Sequence, residues 1–134
     1  MKGMVIIMEV THKFFKCGLC GNLVVPVIDS GSQLVCCGQD MSKLEPNSVE
    51  ASTEKHLPAA TVSADGISVQ IGSALHPMEE GHHIDFVYVK TEHGGQRKHM
   101  NIGDEPKCVF SFSDDKPIAV YAYCNLHGLW VVEL

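Results

Sequence analysis

Apolar and polar positions alternate in short runs along most of this chain, and from residue 59 onward the pattern has the two-residue period of β-strands. Seven strands are predicted there: Ala59 to Ser63, Ile67 to Gly72, Ile84 to Thr91, Arg97 to Ile102, Lys107 to Phe112, Ile118 to Cys124 and Leu129 to Glu133. The separators carry hairpin chemistry. Ala64-Asp65-Gly66, His93-Gly94-Gly95-Gln96, Gly103-Asp104-Glu105-Pro106 and Asp114-Asp115-Lys116-Pro117 each put Gly or Pro where a turn needs it. Short strands at this spacing predict a sandwich. Strict alternation from Ile84 sets Ile84, Phe86 and Tyr88 on one nearly all-apolar face, expected toward the core, and Asp85, Val87 and Val89 on the other.

Before residue 46 the runs are shorter. His12 to Lys16, Leu23 to Ile28 and Gln33 to Cys36 are predicted as strands, separated by a Cys-Gly-Leu-Cys-Gly knuckle and the turn Asp29-Ser30-Gly31-Ser32. A segment of roughly 40 residues rarely folds without a staple. Pro46 and the polar stretch Asn47 to Glu54 read as a linker with one helical turn capped by Asn47 or Ser48. The expected organisation is all-β: residues 1–45 as a small metal-stapled domain, then residues 46–134 as a seven-stranded β-sandwich. No internal repeat or low-complexity segment interrupts it.

Composition narrows the function classes. The 134 residues are 45% hydrophobic and 19% charged, with a formal charge of −6, as expected of a soluble globular protein. No apolar run approaches the ~18 residues of a membrane span. The apolar start Met4 to Met8 is halted by Glu9 before a signal-peptide core develops, so a cytoplasmic protein without membrane association is expected. The acidic excess, with no Lys/Arg cluster among aromatics, excludes nucleic acid as a partner. Residues 46–134 hold the whole imbalance, with 6 basic against 12 acidic side chains.

Six cysteines and eight histidines are the unusual part of the composition. Where thiols stay reduced, Cys at tight spacing indicates metal ligation or redox chemistry before disulfides. Cys17, Cys20, Cys36 and Cys37 could close a tetrahedral thiolate shell, which suits structural zinc or a single one-electron iron. The adjacent pair must twist to reach one metal, because neighbours on an extended chain point to opposite sides. Later, Cys124-Asn125-Leu126-His127 would bring thiolate and imidazole out together at a strand end. Alone it is a weak signal, since a strand-end Cys more often packs. His56, His76 and His82 add three imidazoles on loops of the same sandwich, which no packing requirement explains. Five such ligands leave a sixth octahedral position open for a small ligand. His12, His83, His93 and His99 are expected to face solvent, Cys108 to be a buried thiol, and Leu129 and Trp130 to pack beneath the Cys124–His127 loop.

Cys17-x-x-Cys20 with Cys36-Cys37, then Glu54-Lys55-His56-x-Pro58, His76-Pro77-Met78 with His82, and Cys124-Asn125-Leu126-His127-Gly128-Leu129-Trp130 resemble the desulfoferrodoxins, the two-iron superoxide reductases. The resemblance covers nearly the whole chain after Met8, leaving residues 1–7 as an extension. It implies a desulforedoxin-like first domain, an immunoglobulin-like sandwich and a homodimer. It also implies two Fe ions per chain: Cys17, Cys20, Cys36 and Cys37 would hold the first, and His56, His76, His82 and His127 the second equatorially, with Cys124 axial. Where relatives carry an aromatic residue after the third histidine ligand this chain has His83, and the six-residue spacing from His76 favours His82. The implied reaction is one-electron reduction of superoxide to hydrogen peroxide, fed by a small electron-donor protein such as a rubredoxin. Lys55 would attract the anion, and Glu54 would occupy the sixth position of the oxidised iron. Neither would stand out in isolation. The competing readings are a non-catalytic electron-transfer protein of blue-copper type, which would want a Met downstream of His127, and a structural two-zinc module. The divalent affinity order leaves the metal open at this level.

Overall fold

The computed structural model describes residues 12–134; the apolar start Met4–Met8 and the extension at residues 1–7 lie outside them. The chain divides into two compact units, with the boundary between Glu45 and Pro46.

The first unit is built from two-residue strands: β1 (Phe15–Lys16), β2 (Leu23–Val24), β3 (Val35–Cys36), β4 (Gln39–Asp40) and β5 (Ser42–Lys43). They form a three-stranded sheet in the order β2-β1-β5 and a separate β3-β4 hairpin. The strand expected over Leu23 to Ile28 stops at Val24, because Pro26 carries no N–H for a ladder, and Val27 and Ile28 are left exposed. Pairing in the Gln33–Cys36 stretch is confined to its last two residues, and β4 and β5 were not anticipated. The β3-β4 hairpin turns on Cys37 and Gly38, both with positive φ (53° and 73°), the two-residue turn whose twist matches that of its strands. Phe14, Cys17 and Met41 are buried, and the Cys17 N–H donates to the Asn22 carbonyl to close the knuckle.

The second unit is the seven-stranded sandwich. Its strands are β6 (Pro58–Ser63), β7 (Gly66–Ile71), β8 (Ile84–Thr91), β9 (Gly95–His99), β10 (Lys107–Ser111), β11 (Pro117–Cys124) and β12 (Gly128–Glu133). One sheet runs β10-β7-β6 and the other β12-β11-β8-β9, all antiparallel. The core between them contains Ile67, Val69, Ile71, Ile84, Val87, Val89, Phe110, Val120, Ala122 and Cys124. Each such branched or aromatic side chain contributes about 1.5–3 kcal/mol on burial. Among the described residues no helix is long and apolar enough to cross a membrane.

Three expectations are corrected here. The helical turn is α1 (Thr53–His56), following Ser52, not a turn capped by Asn47 or Ser48. Asn47 instead imitates a strand partner of β12: its backbone N–H donates to Leu129 O, its Nδ2 to Val131 O, and its Oδ1 accepts from Val131 N–H. The core face of β8 is Ile84 with Val87, Val89 and Thr91, not Ile84 with Phe86 and Tyr88. On β11, Cys124 pairs with Ile84 but Tyr123 with Phe86, so Asp85 is an extra residue, a bulge that flips the alternation. Its freed carbonyl accepts from the Met100 N–H. β9 ends at His99, short of the expected Ile102, and Met100 is buried in the core.

Candidate metal centres

In the first unit, Cys17, Cys20, Cys36 and Cys37 converge. Cys20 Sγ lies 3.6 Å from Cys36 Sγ, and Cys36 Sγ lies 3.9 Å from Cys37 Sγ. A tetrahedron with metal–sulfur bonds of about 2.3 Å has edges of about 3.8 Å, whereas a disulfide needs about 2.05 Å. The spacing is that of a shared cation, and all four are free thiols. The left-handed turn at Cys37 is how consecutive residues reach one point: Cys36 ends a strand, and Cys37 breaks the extended geometry that would have aimed it away. A non-glycine residue in that conformation costs roughly 1–2 kcal/mol, which the packing of the knuckle must offset.

Backbone N–H groups of Cys20 and Leu19 donate to Cys17 Sγ, each at 3.4 Å, and pull its thiol down to about 6. Cys37 is pushed up to about 12, chiefly by its contacts with the Cys20 and Cys36 sulfurs. The Cys17 proton leaves readily, whereas those of Cys36 and Cys37 are held. A cation in the middle is what would let all four ionise. The Asn22 amide also reaches Cys36 Sγ at 3.7 Å.

In the sandwich, α1 supplies His56, the β7–β8 connection supplies His76 and His82, the end of β11 supplies Cys124, and the following turn supplies His127. His56 and His127 are 71 positions apart in sequence, whereas Cys17 and Cys36 of the first group are separated by 19. The four imidazoles form a square. Ring centroids are 4.7 Å apart for His56–His76, 4.7 Å for His76–His82, 5.2 Å for His82–His127 and 4.9 Å for His127–His56, with the His56–His82 diagonal at 6.4 Å. Neighbouring rings are nearly perpendicular, at 74–89°.

His56 Nε2 is 3.2 Å from His76 Nε2 and 3.1 Å from His127 Nδ1. Adjacent nitrogens around an octahedral ion with bonds of about 2.1 Å lie about 3.0 Å apart. The donor atoms of His56, His76, His82 and Cys124 all lie within 4.8 Å of one another, and His127 Nδ1 is 3.8 Å from Cys124 Sγ. His82 Nε2 is buried with no hydrogen-bond partner. An orphaned lone pair beside three other imidazole nitrogens and a thiol fits a metal ion and little else.

The surroundings prepare these donors. His56 and His76 each have Nδ1 against a backbone carbonyl, Ser52 O at 2.6 Å and Pro77 O at 2.7 Å, which fixes the proton on Nδ1 and frees Nε2. Burial is the main influence holding His56 and His82 below the usual imidazole range, and it pulls His76 down to about 4. The rings are therefore neutral at pH 7 and able to ligate. Burial pushes the Cys124 thiol up, and the N–H groups of His127 and Leu126 oppose it. Trp130 stacks on His56 at 4.8 Å and 23°, and its Nε1 donates to His127 O at 3.2 Å, so it floors the square.

His83 is not part of this cluster. Its Nε2 lies 2.9 Å from Asp85 Oδ1 and its Nδ1 3.0 Å from Glu79 O, so both ring nitrogens are engaged elsewhere. It is thus an ordered, largely covered side chain, contrary to the expectation that it faces solvent. His93, paired with Asp115, and His99 are exposed as expected, and His12 is half-buried. Cys108 is half-buried against the core, and burial pushes its thiol up to about 11. Lys55 and Glu54 lie on the exposed side of α1. The Lys55 charge reaches the square, since it contributes to lowering both His56 and His82. Sequence patterns gave no warning of Asn22, Gly72 or Asn125, which hold the site through backbone contacts. The available signal for Asn125 was a residue able to donate and accept at once, set directly after a strand-end cysteine.

An all-β chain in which a four-thiolate knuckle accompanies a sandwich bearing four imidazoles and a thiolate is a non-haem metalloprotein with two centres. A family model described as desulfoferrodoxin matches residues 48–133, and one described as the desulfoferrodoxin N-terminal domain matches residues 9–44. The chain is 43% identical over 119 residues to a desulfoferrodoxin of Syntrophotalea carbinolica, covering 89% of this chain and 94% of that one. It is 41% identical over 116 residues to a desulfoferrodoxin homolog of Archaeoglobus fulgidus, covering 87% and 92%. The crystal structure of the superoxide reductase from Treponema pallidum superposes with a TM-score of 0.77 at 31% identity, over 92% of this chain and 99% of that one. The chain belongs to the desulfoferrodoxin family, and its cofactors are two iron ions.

Proposed function

We propose that this protein is a superoxide reductase working at the histidine–thiolate centre: one superoxide, one electron from an external donor and two protons give one hydrogen peroxide. We assign Cys17, Cys20, Cys36 and Cys37 as the residues that would hold the first iron, and His56, His76, His82, His127 and Cys124 as those that would hold the second. The buried, partnerless Nε2 of His82 in the imidazole square carries this reading. Five protein donors leave one octahedral position over, as small-molecule chemistry requires and a saturated electron carrier does not. Iron bound there supplies the reducing electron and the open position.

The remaining work falls to side chains. Lys55 attracts the anion and orients a proton-donating water beside the square. Glu54, on the same turn, would supply a carboxylate to an iron held by the square when substrate is absent. Its backbone carbonyl accepts from Ala74 N–H and from Ser73 Oγ, which anchors that turn to the β7–β8 connection. Cys17, Cys20, Cys36 and Cys37 would fill a tetrahedral shell completely, so an iron held there would serve to carry one electron and not to bind substrate. We assign a small redox protein of rubredoxin type as donor, the cytoplasm as the compartment because it keeps such thiols reduced, and a homodimer as the working form. The dimer is supported by Val27 and Ile28, which are 100% and 88% exposed in a unit with little core of its own.

The test is stoichiometric. Iron-loaded protein given superoxide and a reductant is expected to form one peroxide per superoxide consumed, with no dioxygen evolved. One peroxide per two superoxides would mean dismutation. No consumption above background would leave only electron transfer.

A further inference from the structure

We propose that Asn125 is the positioning residue that locks His82 against Cys124, and that it thereby sets the affinity and the potential of the second centre. The proposal rests on the assignment of the imidazole square as an iron site.

The ligands reach that square on unequal supports. Cys124 ends β11, of which every residue except Ile118 is buried. His56 and His76 have their rings tied to backbone carbonyls. His82 comes from a connection between strands, and among the described residues no hydrogen bond holds its ring. Beyond its edge-on contacts with His76 and His127, its backbone must place it. Part of that backbone is a small closed turn, with Glu79 N–H donating to His82 O at 2.9 Å and His82 N–H to Glu79 O at 3.1 Å. This turn fixes the local shape but not its position relative to Cys124.

Asn125 supplies that position. Its Oδ1 accepts from the His83 N–H at 2.8 Å, its Nδ2 donates to Gly81 O at 3.1 Å, and its own N–H donates to His83 O at 3.1 Å. The two side-chain bonds land on the residues immediately before and after His82. The amide orientation is fixed by its partners, since an N–H must meet Oδ1 and a carbonyl must meet Nδ2. Among side chains this short, only asparagine carries a permanent donor and a permanent acceptor on separate atoms, so that it can hold an N–H and a carbonyl two residues apart. One residue next to the thiolate ligand therefore clamps both flanks of an imidazole ligand, and the β8 bulge at Asp85 begins just beyond.

The experiment compares full-length iron-loaded wild type with Asn125→Ala and Asn125→Asp. Alanine removes both side-chain bonds. Aspartate keeps the acceptor for His83 N–H and loses the donor to Gly81 O. Partners behind metal ligands typically contribute 10- to 100-fold in metal affinity. Loss of the second iron to a chelator is expected to speed up by that factor in Asn125→Ala and by less in Asn125→Asp. The thiolate-to-iron absorption band and the midpoint potential of that centre should move in the same order, while the four-thiolate spectrum stays fixed as an internal reference. A merely structural asparagine would shift thermal stability without moving band or potential. If Asn125→Ala does not fold by circular dichroism, Asn125→Asp carries the same comparison. Variants that match a normally loading wild type in band, potential and iron release would overturn the clamp alone. A wild type that takes up no iron at this centre would overturn the functional reading, and the clamp with it.

Discussion

Lys55 is exposed, yet it precedes His56, which is only 3% exposed, and its charge bears on two of the four imidazoles. Residues 46–134 hold twice as many acidic as basic side chains, so an anion approaches against the mean field of the domain. If Lys55 serves as proposed, its cation would carry a large share of the encounter rate, since focusing of this kind spans roughly 10- to 1,000-fold. Lys55→Ala is expected to slow the second-order reaction with superoxide by about 10- to 100-fold at low salt and to leave both iron spectra in place. Rising ionic strength should narrow the gap, because exposed charges are screened beyond about 10 Å at 0.1 M. Pulse radiolysis across a salt series measures both effects; equal rates for the two proteins at low salt would remove Lys55 from the mechanism. Nothing in hydrophobic patterning distinguishes this lysine from any other. It became legible only through its place in Glu54-Lys55-His56-x-Pro58. The choice of His82 over His83 rested in the sequence on the six-residue spacing from His76 alone; its physical basis was hidden, because it depends on Asp85 and the Glu79 carbonyl, which occupy the ring of His83 and not that of His82.

At the level of elements, α1 is the piece most finely held. It is four residues long, has no side-chain cap, and carries Glu54, Lys55 and His56. Gly72 supports it from behind: its φ is +85°, and a Cβ there would meet the Ala74 carbonyl oxygen at 2.3 Å and that of Lys55 at 2.7 Å. Both contacts are backbone, so the turn itself would have to yield. Gly72→Ala is expected to destabilise the sandwich by more than about 1 kcal/mol from the left-handed conformation alone. It should also weaken iron at the second centre while sparing the first. Urea denaturation and iron analysis of the purified variant check the two parts separately. The strands that frame α1 were readable because sandwich strands alternate, and Ile84–Thr91 was read to the residue. Which face of β8 meets the core was not readable, since one extra residue at Asp85 reverses the pattern and leaves no mark in the period itself. Short strands such as β4 and β5 escaped for another reason. Two paired residues are set by the neighbouring chain, with no periodicity of their own.

Across the whole molecule, the two centres draw on different stretches of sequence. The first uses ligands from one short segment inside one unit, and the second uses ligands from α1 through the turn after β11. Their contrast in separation, 19 positions for Cys17–Cys36 against 71 for His56–His127, turns into an order in time. Loop-closure entropy alone separates them by only roughly 1 kcal/mol. The larger difference is that the second set has no common location until β11 has paired with β8 and the sheet holding β6 and β7 has packed against them, and such non-local assembly is slow. In anaerobic refolding with ferrous iron, the four-thiolate signal is expected to precede the second centre, which should rise together with the near-ultraviolet dichroism of the buried Trp130. Simultaneous appearance of both signals would contradict this order. A chain caught halfway through folding can therefore hold iron only where every coordination position is already filled by sulfur. On that order the open site is expected to form only after the walls around it have closed, so that a folding intermediate would keep its ferrous iron enclosed by sulfur and away from peroxide.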